Sequence, residues 1–174
     1  MTVANKLTLL RVALIPFFLI VLYIGFRGSQ YIALAIFIIA SLTDLADGYI
    51  ARSRHEITDF GKFMDPLADK VLVFAAMMWF VEAGQMPAWI VLIVITREFA
   101  VTGMRLIAVG EGRVIAAAWS GKVKTASTMV CIILMFLPIP PWLNTLCLII
   151  IAGTTVYSGI EYFWKNRDVM RFSK

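Results

Sequence analysis

Asp44, Asp47 and Arg52 close one apolar stretch of this chain, and Asp65, Asp69 and Lys70 open the next. A carboxylate at membrane depth costs about 3 kcal/mol or more unless something compensates it. Crowded carboxylates also repel one another, and a divalent cation held among them reverses that penalty. Four acids in two neighbouring segments therefore point to metal. An all-oxygen donor set suits magnesium or manganese rather than zinc, and no Cys or His stands in the pattern as a softer ligand. His55, the only histidine, falls in the charged link between the two stretches and reads as a solvated loop residue.

The spacing of these residues is helical. At about 100° per residue, Asp44, Asp47, Gly48 and Ala51 fall within about 100° of arc on one helix face. Asp65 and Asp69, four apart, share a face as well. Residues 53–60 are a short link, so one helix ends and the next begins on the same side of the membrane, where both acid pairs can converge. Small residues at Gly48 and Ala51 admit a phosphate or a flat group to the carboxylate face, although close helix packing uses them equally well. Arg52 offers a planar donor fork suited to phosphate, or an interfacial anchor.

The elements that must position these groups are membrane helices. Of the 174 residues, 61% are hydrophobic, and mean hydropathy is +0.86. Apolar runs of about 20 residues recur along the chain, enough for about six spans and no separate soluble domain. The predicted spans are 7–26, 30–51, 62–83, 88–109, 118–137 and 142–163, forming one membrane-embedded domain over 1–174. Turn chemistry separates them: Arg27-Gly28-Ser29, the charged link, Gly84-Gln85-Met86-Pro87, Gly110-Glu111-Gly112 and Pro138-Ile139-Pro140-Pro141. A barrel would demand polar and apolar residues in alternation, which is absent. The expectation is an all-α integral membrane fold of six transmembrane helices, with a polar, metal-containing cavity open to the cytoplasmic side.

Basic residues set the orientation. With the first span starting inside, Lys6, Arg11, Arg52, Arg54, Lys62, Arg113, Lys122, Lys124, Lys165, Arg167, Arg171 and Lys174 fall on or near the cytoplasmic side, and Arg27 alone falls in an outer loop. Both termini are then cytoplasmic. The net charge of +5 reads as topology and contact with anionic lipid heads, not as a nucleic-acid footprint. Lys6, Arg11 and the apolar run after them lack a following small-residue cleavage site and read as a retained anchor. Cys131 and Cys147 lie in apolar runs and read as packing residues. Trp79, Trp89, Trp142 and Trp164 fall toward span ends, as in interfacial belts.

The pattern Asp44-x-x-Asp47-Gly48-x-x-Ala51-Arg52, then eight residues, then Gly61-x-x-x-Asp65-x-x-x-Asp69, resembles the signature of the CDP-alcohol phosphotransferases at every defined position. The resemblance implies a six-helix membrane fold, commonly a homodimer, that joins an alcohol to a phosphatidyl group and releases CMP. Four further stretches look like the branch of that family that makes phosphatidylglycerol phosphate. They are Asn5-x-Leu7-Thr8-x-x-Arg11, the run from Thr58 to Lys70, Thr96-Arg97-Glu98-Phe99, and Gly121-Lys122-x-Lys124-Thr125. The substrates so implied are CDP-diacylglycerol and glycerol 3-phosphate, in a bacterial cytoplasmic membrane.

By the same resemblance Asp69 is the general base. Asp44, Asp47 and Asp65 carry two divalent cations, Mg2+ or Mn2+, with Asp69 able to share one. Asn5, Thr8, Gly48, Ala51, Arg52, Gly61, Lys122 and Thr125 then hold the CDP-lipid. An acceptor that is itself a phosphate gives Arg97 and Arg105 a role. They lie two turns apart on the fourth span, separated by about 80° around the helix, and could line one basic pocket. Pairing of Arg97 with Glu98 is expected to be poor, because adjacent helix residues do not face each other. Lys124 is expected to point away from Lys122 and Thr125, toward lipid heads. The rival readings are a sibling enzyme with another acceptor, such as inositol phosphate or serine, and a divalent-cation carrier. Acids clustered toward one membrane side, with a cation in the fourth span, count against the carrier.

Overall fold

A computed structural model describes the backbone of residues 3–54, 59–110, 112, 113, 115, 116 and 118–170. Side chains are described outside 1–9, 11, 44–69, 111, 114, 117 and 169–174. Six helices follow one another: α1 (Val3–Ile24), α2 (Ser29–Arg54), α3 (Asp59–Glu82), α4 (Ala88–Gly110), α5 (Trp119–Met135) and α6 (Pro141–Lys165), with a short 3₁₀ turn at Arg167–Met170. No strand occurs among the described residues. Each helix matches a predicted span, with ends displaced by a few residues.

The breaks have local causes. Gly25 and Gly28 adopt φ of 66° and 94°, Gly84 of 71° and Gly112 of 73°. Side chains rarely enter that left-handed region, so glycine ends the helix there. Pro140 is extended, at φ −65° and ψ 152°, and Pro141 takes the first turn of α6, where a missing N–H costs nothing. Asn144 Nδ2 donates to the Gln85 carbonyl at 3.0 Å, tying the start of α6 to the turn before α4.

The chain forms two compact units, Met1–Phe80 and Val81–Lys174. In the first, α1 packs along α2 through Phe18, Leu22, Ala33, Phe37 and Ala40, all buried. The Phe18 and Phe37 rings lie 6.2 Å apart at 43°. Buried alanines on α2 take little room beside the rings, which fill the space in the core. In the second unit α6 is the central helix, packed on both α4 and α5. Its buried stripe of Cys147, Ile151, Thr155, Ser158 and Tyr162 recurs at three- and four-residue spacing, as one helix face requires. Cys131 and Cys147 are both buried free thiols, in keeping with a packing role.

Large apolar side chains also cover the outside, among them Phe17, Ile20, Ile39, Leu92, Phe99, Leu106, Ile149 and Ile160. Soluble chains do not expose apolar surface on this scale. Among the described residues, Pro141–Lys165 is the helix that is long and apolar enough by itself to cross a membrane. α4 is of similar length but carries Arg97, Glu98 and Arg105, and α5 has 17 residues. Trp89, Trp119, Trp142 and Trp164 are all strongly exposed near helix ends, and Trp79 sits edge-on against Phe80, 5.3 Å between centroids.

Candidate functional site

The acid pattern occupies helical backbone throughout. Asp44, Asp47, Gly48, Ala51 and Arg52 lie in the last turns of α2, and Gly61, Asp65 and Asp69 in the first half of α3. The two helices are separated by four residues. Helical backbone across 44–54 and 59–69 is what the same-face argument for each pair requires. The side chains of these residues, and those of Asn5 and Thr8 on α1, lie outside the described residues, as does His55. The convergence of the four acids and the metal-containing cavity are therefore expectations outside them too. Among the described residues no group of three or more acids, histidines and cysteines is placed to hold a metal ion.

The side chains of Arg97, Arg105, Lys122 and Lys124 in the second unit are described. Arg97 leaves the middle of α4 and is clasped by both neighbouring helices. Its Nε donates to Ser158 Oγ on α6 at 3.0 Å, and its Nη1 donates to Glu98 Oε1 at 3.0 Å. Lys124 Nζ, from α5, donates to the same Glu98 oxygen at 2.5 Å. The three charged side chains are only 12%, 14% and 7% exposed for Arg97, Glu98 and Lys124. Two glycines leave room for the guanidinium: a Cβ on Gly121 would stand 3.2 Å from Arg97 Nη2, and one on Gly159 3.4 Å from its Cγ. Arg97 also lines a groove of about 720 Å³ between α4 and α6, walled by Leu92, Thr96, Ala100, Gly159 and Phe163.

Two expectations are corrected by this geometry. Arg97 and Glu98 do pair, although they are adjacent on the helix. The angular separation of neighbours defeats short side chains, but Arg and Glu are long, and partners on α5 and α6 draw both into one interhelical space. Lys124 is buried and ion-paired rather than turned to lipid heads. Its helix phase explains why: Ser120, Lys124, Thr128, Cys131 and Met135 form the buried face of α5. That stripe is present in the sequence as small and polar residues at helical spacing, and it identifies Lys124 as an inward-facing charge. Ser158 and Gly159 carry the same kind of signal on the inner face of α6, and the motif-based reading does not single them out.

Lys122 and Thr125 share the outer side of α5 and are both exposed, and Thr125 Oγ1 donates to the Gly121 carbonyl at 3.1 Å. Arg105 has partners of its own. Its Nε donates to the Tyr162 hydroxyl at 3.1 Å, and its Cζ lies 5.6 Å from the centroid of that ring. Tyr162 is buried in a cluster with Val101, Met104 and Ala108, flanked by Ile115, Ala118 and Phe163. Arg97 is thus built into a polar network across three helices, whereas Arg105 is stacked on one aromatic ring two turns further along α4. The two guanidiniums have different surroundings, rather than a common set of partners.

The chain matches the family described as CDP-alcohol phosphatidyltransferase over residues 1–157. It is 43% identical to the CDP-diacylglycerol–glycerol-3-phosphate 3-phosphatidyltransferase of Bacillus subtilis, covering 97% of each chain. It is 38% identical to the protein of that name from Haemophilus influenzae, over 90% of this chain and 88% of the relative. A third of that name, from Wigglesworthia glossinidia brevipalpis, is 33% identical over 98% of each. The match takes in both acid-bearing helices and the Arg97 network alike, and it leaves one conclusion: the chain belongs to the CDP-alcohol phosphatidyltransferase family, a family of membrane-associated transferases.

Proposed function

We propose that this chain transfers the phosphatidyl group of CDP-diacylglycerol to sn-glycerol 3-phosphate, giving phosphatidylglycerol phosphate and CMP. The observation that carries the reading is similarity from end to end. Relatives named for that reaction match this chain over nearly the whole of both lengths, a span that includes the acid pattern and the cationic helices. Residues 1–174 are read as one catalytic domain, and the family match takes in residues of both units.

Six helices of 17 to 26 residues, with large apolar side chains on their outward faces, support a six-span protein of the cytoplasmic membrane. The termini and the active site lie on the cytoplasmic side, where the charged nucleotide arrives while the acyl chains stay in the bilayer. The resemblance further supports a homodimer.

Asp44, Asp47, Asp65 and Asp69 would hold two divalent cations, and a donor set of four carboxylates fits magnesium or manganese. Bound there, the cations would neutralise the diphosphate and the departing CMP. The protein's own groups do the rest. Asn5, Thr8, Gly48, Ala51, Arg52, Gly61, Lys122 and Thr125 hold the CDP-lipid head, and Arg97 and Arg105 hold the phosphate of the acceptor. Arg97 is suited to that role, because its Nη2 has no hydrogen-bond partner among the described residues. Asp69 takes the proton from a primary hydroxyl of the acceptor as that oxygen attacks the phosphorus next to the lipid. The new oxygen–phosphorus bond forms, the bond from that phosphorus to the CMP oxygen breaks, and its electron pair leaves with CMP. A carboxylate is a weak base for an alcohol, so positioning supplies much of the rate.

Purified protein with CDP-diacylglycerol, glycerol 3-phosphate and magnesium or manganese should release CMP in step with phosphatidylglycerol phosphate. Equal rates with serine or inositol phosphate would overturn the acceptor assignment. Cation flux without CMP would overturn the enzyme reading itself.

A further inference from the structure

The network around Arg97 contains more than an acceptor site needs for charge alone. Among the described residues one carboxylate, Glu98, serves two cations, so Arg97, Glu98 and Lys124 together carry a surplus positive charge in a largely enclosed space. The hydrogen bonds also constrain geometry. Ser158 fixes the Nε edge of the guanidinium and Glu98 fixes Nη1, so the plane of the group is set and the Nη2 corner is left toward Gly121. Planar, directed recognition is what distinguishes an arginine from a point charge at a phosphate.

We propose that Glu98 and Lys124 are positioning residues for the acceptor: Glu98 orients the Arg97 guanidinium, Lys124 anchors Glu98 from α5, and Gly121 keeps open the space that the Nη2 corner occupies. This rests on the reading of Arg97 as the group that receives the acceptor's phosphate. None of the three needs to touch the substrate. Their effect is to hold one guanidinium in one pose, so their loss is felt in acceptor binding and not in the use of the CDP-lipid.

The test is steady-state kinetics of the full-length purified protein, with KM for glycerol 3-phosphate, KM for CDP-diacylglycerol and kcat measured separately. Losing a charge-assisted hydrogen bond at such a site corresponds to a change of about ten- to a hundredfold. Glu98→Gln and Gly121→Ala should each raise the KM for glycerol 3-phosphate by about tenfold or more, leaving kcat and the KM for the CDP-lipid within about threefold. Lys124→Met should follow Glu98→Gln, and Lys124→Arg should restore most of the loss. The Arg97→Ala, Glu98→Gln double variant should be no worse than Arg97→Ala alone, because the carboxylate acts through the guanidinium. A lower melting temperature with an unchanged acceptor KM would make the network structural and overturn the proposal. So would additive losses in the double variant. If Glu98→Gln does not fold, Gly121→Ala, which keeps every charge, decides the same point. Should Arg97→Ala itself leave the acceptor KM unchanged, the assignment of Arg97 fails; should Arg97→Ala raise it and Glu98→Gln not, the positioning role alone fails.

Discussion

The acid-bearing helices α2 and α3 and the cationic helices α4 to α6 bring their charged residues together by opposite routes. Asp44 and Asp47 lie three apart on one continuous helix, and Asp65 and Asp69 four apart on the next. Their pairing is local, a consequence of 3.6 residues per turn, and any sequence that keeps those positions helical keeps the pairs. Arg97 instead draws its partners from positions 98 and 158, with Lys124 bound to the same Glu98 oxygen, and its space from glycines at 121 and 159. That arrangement exists only when three helices pack in one register. A site made from helix periodicity is legible as a motif, whereas a site made from interhelical packing leaves only dispersed polar residues on the inner faces of apolar helices.

Metal removal should separate the two regions most sharply. Chelation of divalent cations is expected to abolish CMP release, and added magnesium or manganese to restore it. Persistence of turnover in excess chelator would remove the metal-holding role of the acids. Next in size, Asp69→Asn should lower kcat by about a hundred- to ten-thousandfold, the range a general base contributes. Its thermal transition should stay near that of the unaltered protein, so wild-type-like turnover would dismiss Asp69 as the base.

The comparison sharpens when the same reagents are titrated against both regions. Asp44→Asn should raise the concentration of metal needed for half-maximal activity, while Arg97→Lys should leave that concentration unchanged and raise the KM for glycerol 3-phosphate about tenfold or more. Equal effects of both variants on both titrations would mean that the regions are not functionally distinct. The smallest effect is expected at Tyr162→Phe. It deletes the hydroxyl that accepts from Arg105 but keeps the ring beneath the guanidinium. Stability should fall by about 1 kcal/mol, the usual net value of one hydrogen bond, and the acceptor KM should move less than about threefold. A loss as large as that at Arg97 would raise Arg105 to equal rank.

The six helices were legible because their causes are local. Glycines at 25, 28, 84 and 112 adopt positive φ at the breaks, and the prolines at 140 and 141 open α6. The long apolar runs between them coincide with the helices. The family was legible too, since the acid pattern depends on spacing alone. The Arg97–Glu98 pair and the inward position of Lys124 are not legible in the sequence, because both depend on the neighbouring helices. Arg97–Glu98 pairing contradicts the rule for isolated helices, and Lys124 could not be assigned a side until the buried face of α5 was known.

By itself the sequence determined the helices, the breaks between them, the spacing of the acids on α2 and α3, and membership of the family, because each follows from backbone propensity, hydropathy or residue interval. Only the tertiary structure decided that Arg97 is held between Glu98 and Ser158, that one carboxylate serves two cations, and that Arg105 rests on Tyr162. The physical reason is range: periodicity acts within one helix, whereas the pose of a long charged side chain is set by whichever groups the adjoining helices bring within hydrogen-bonding distance.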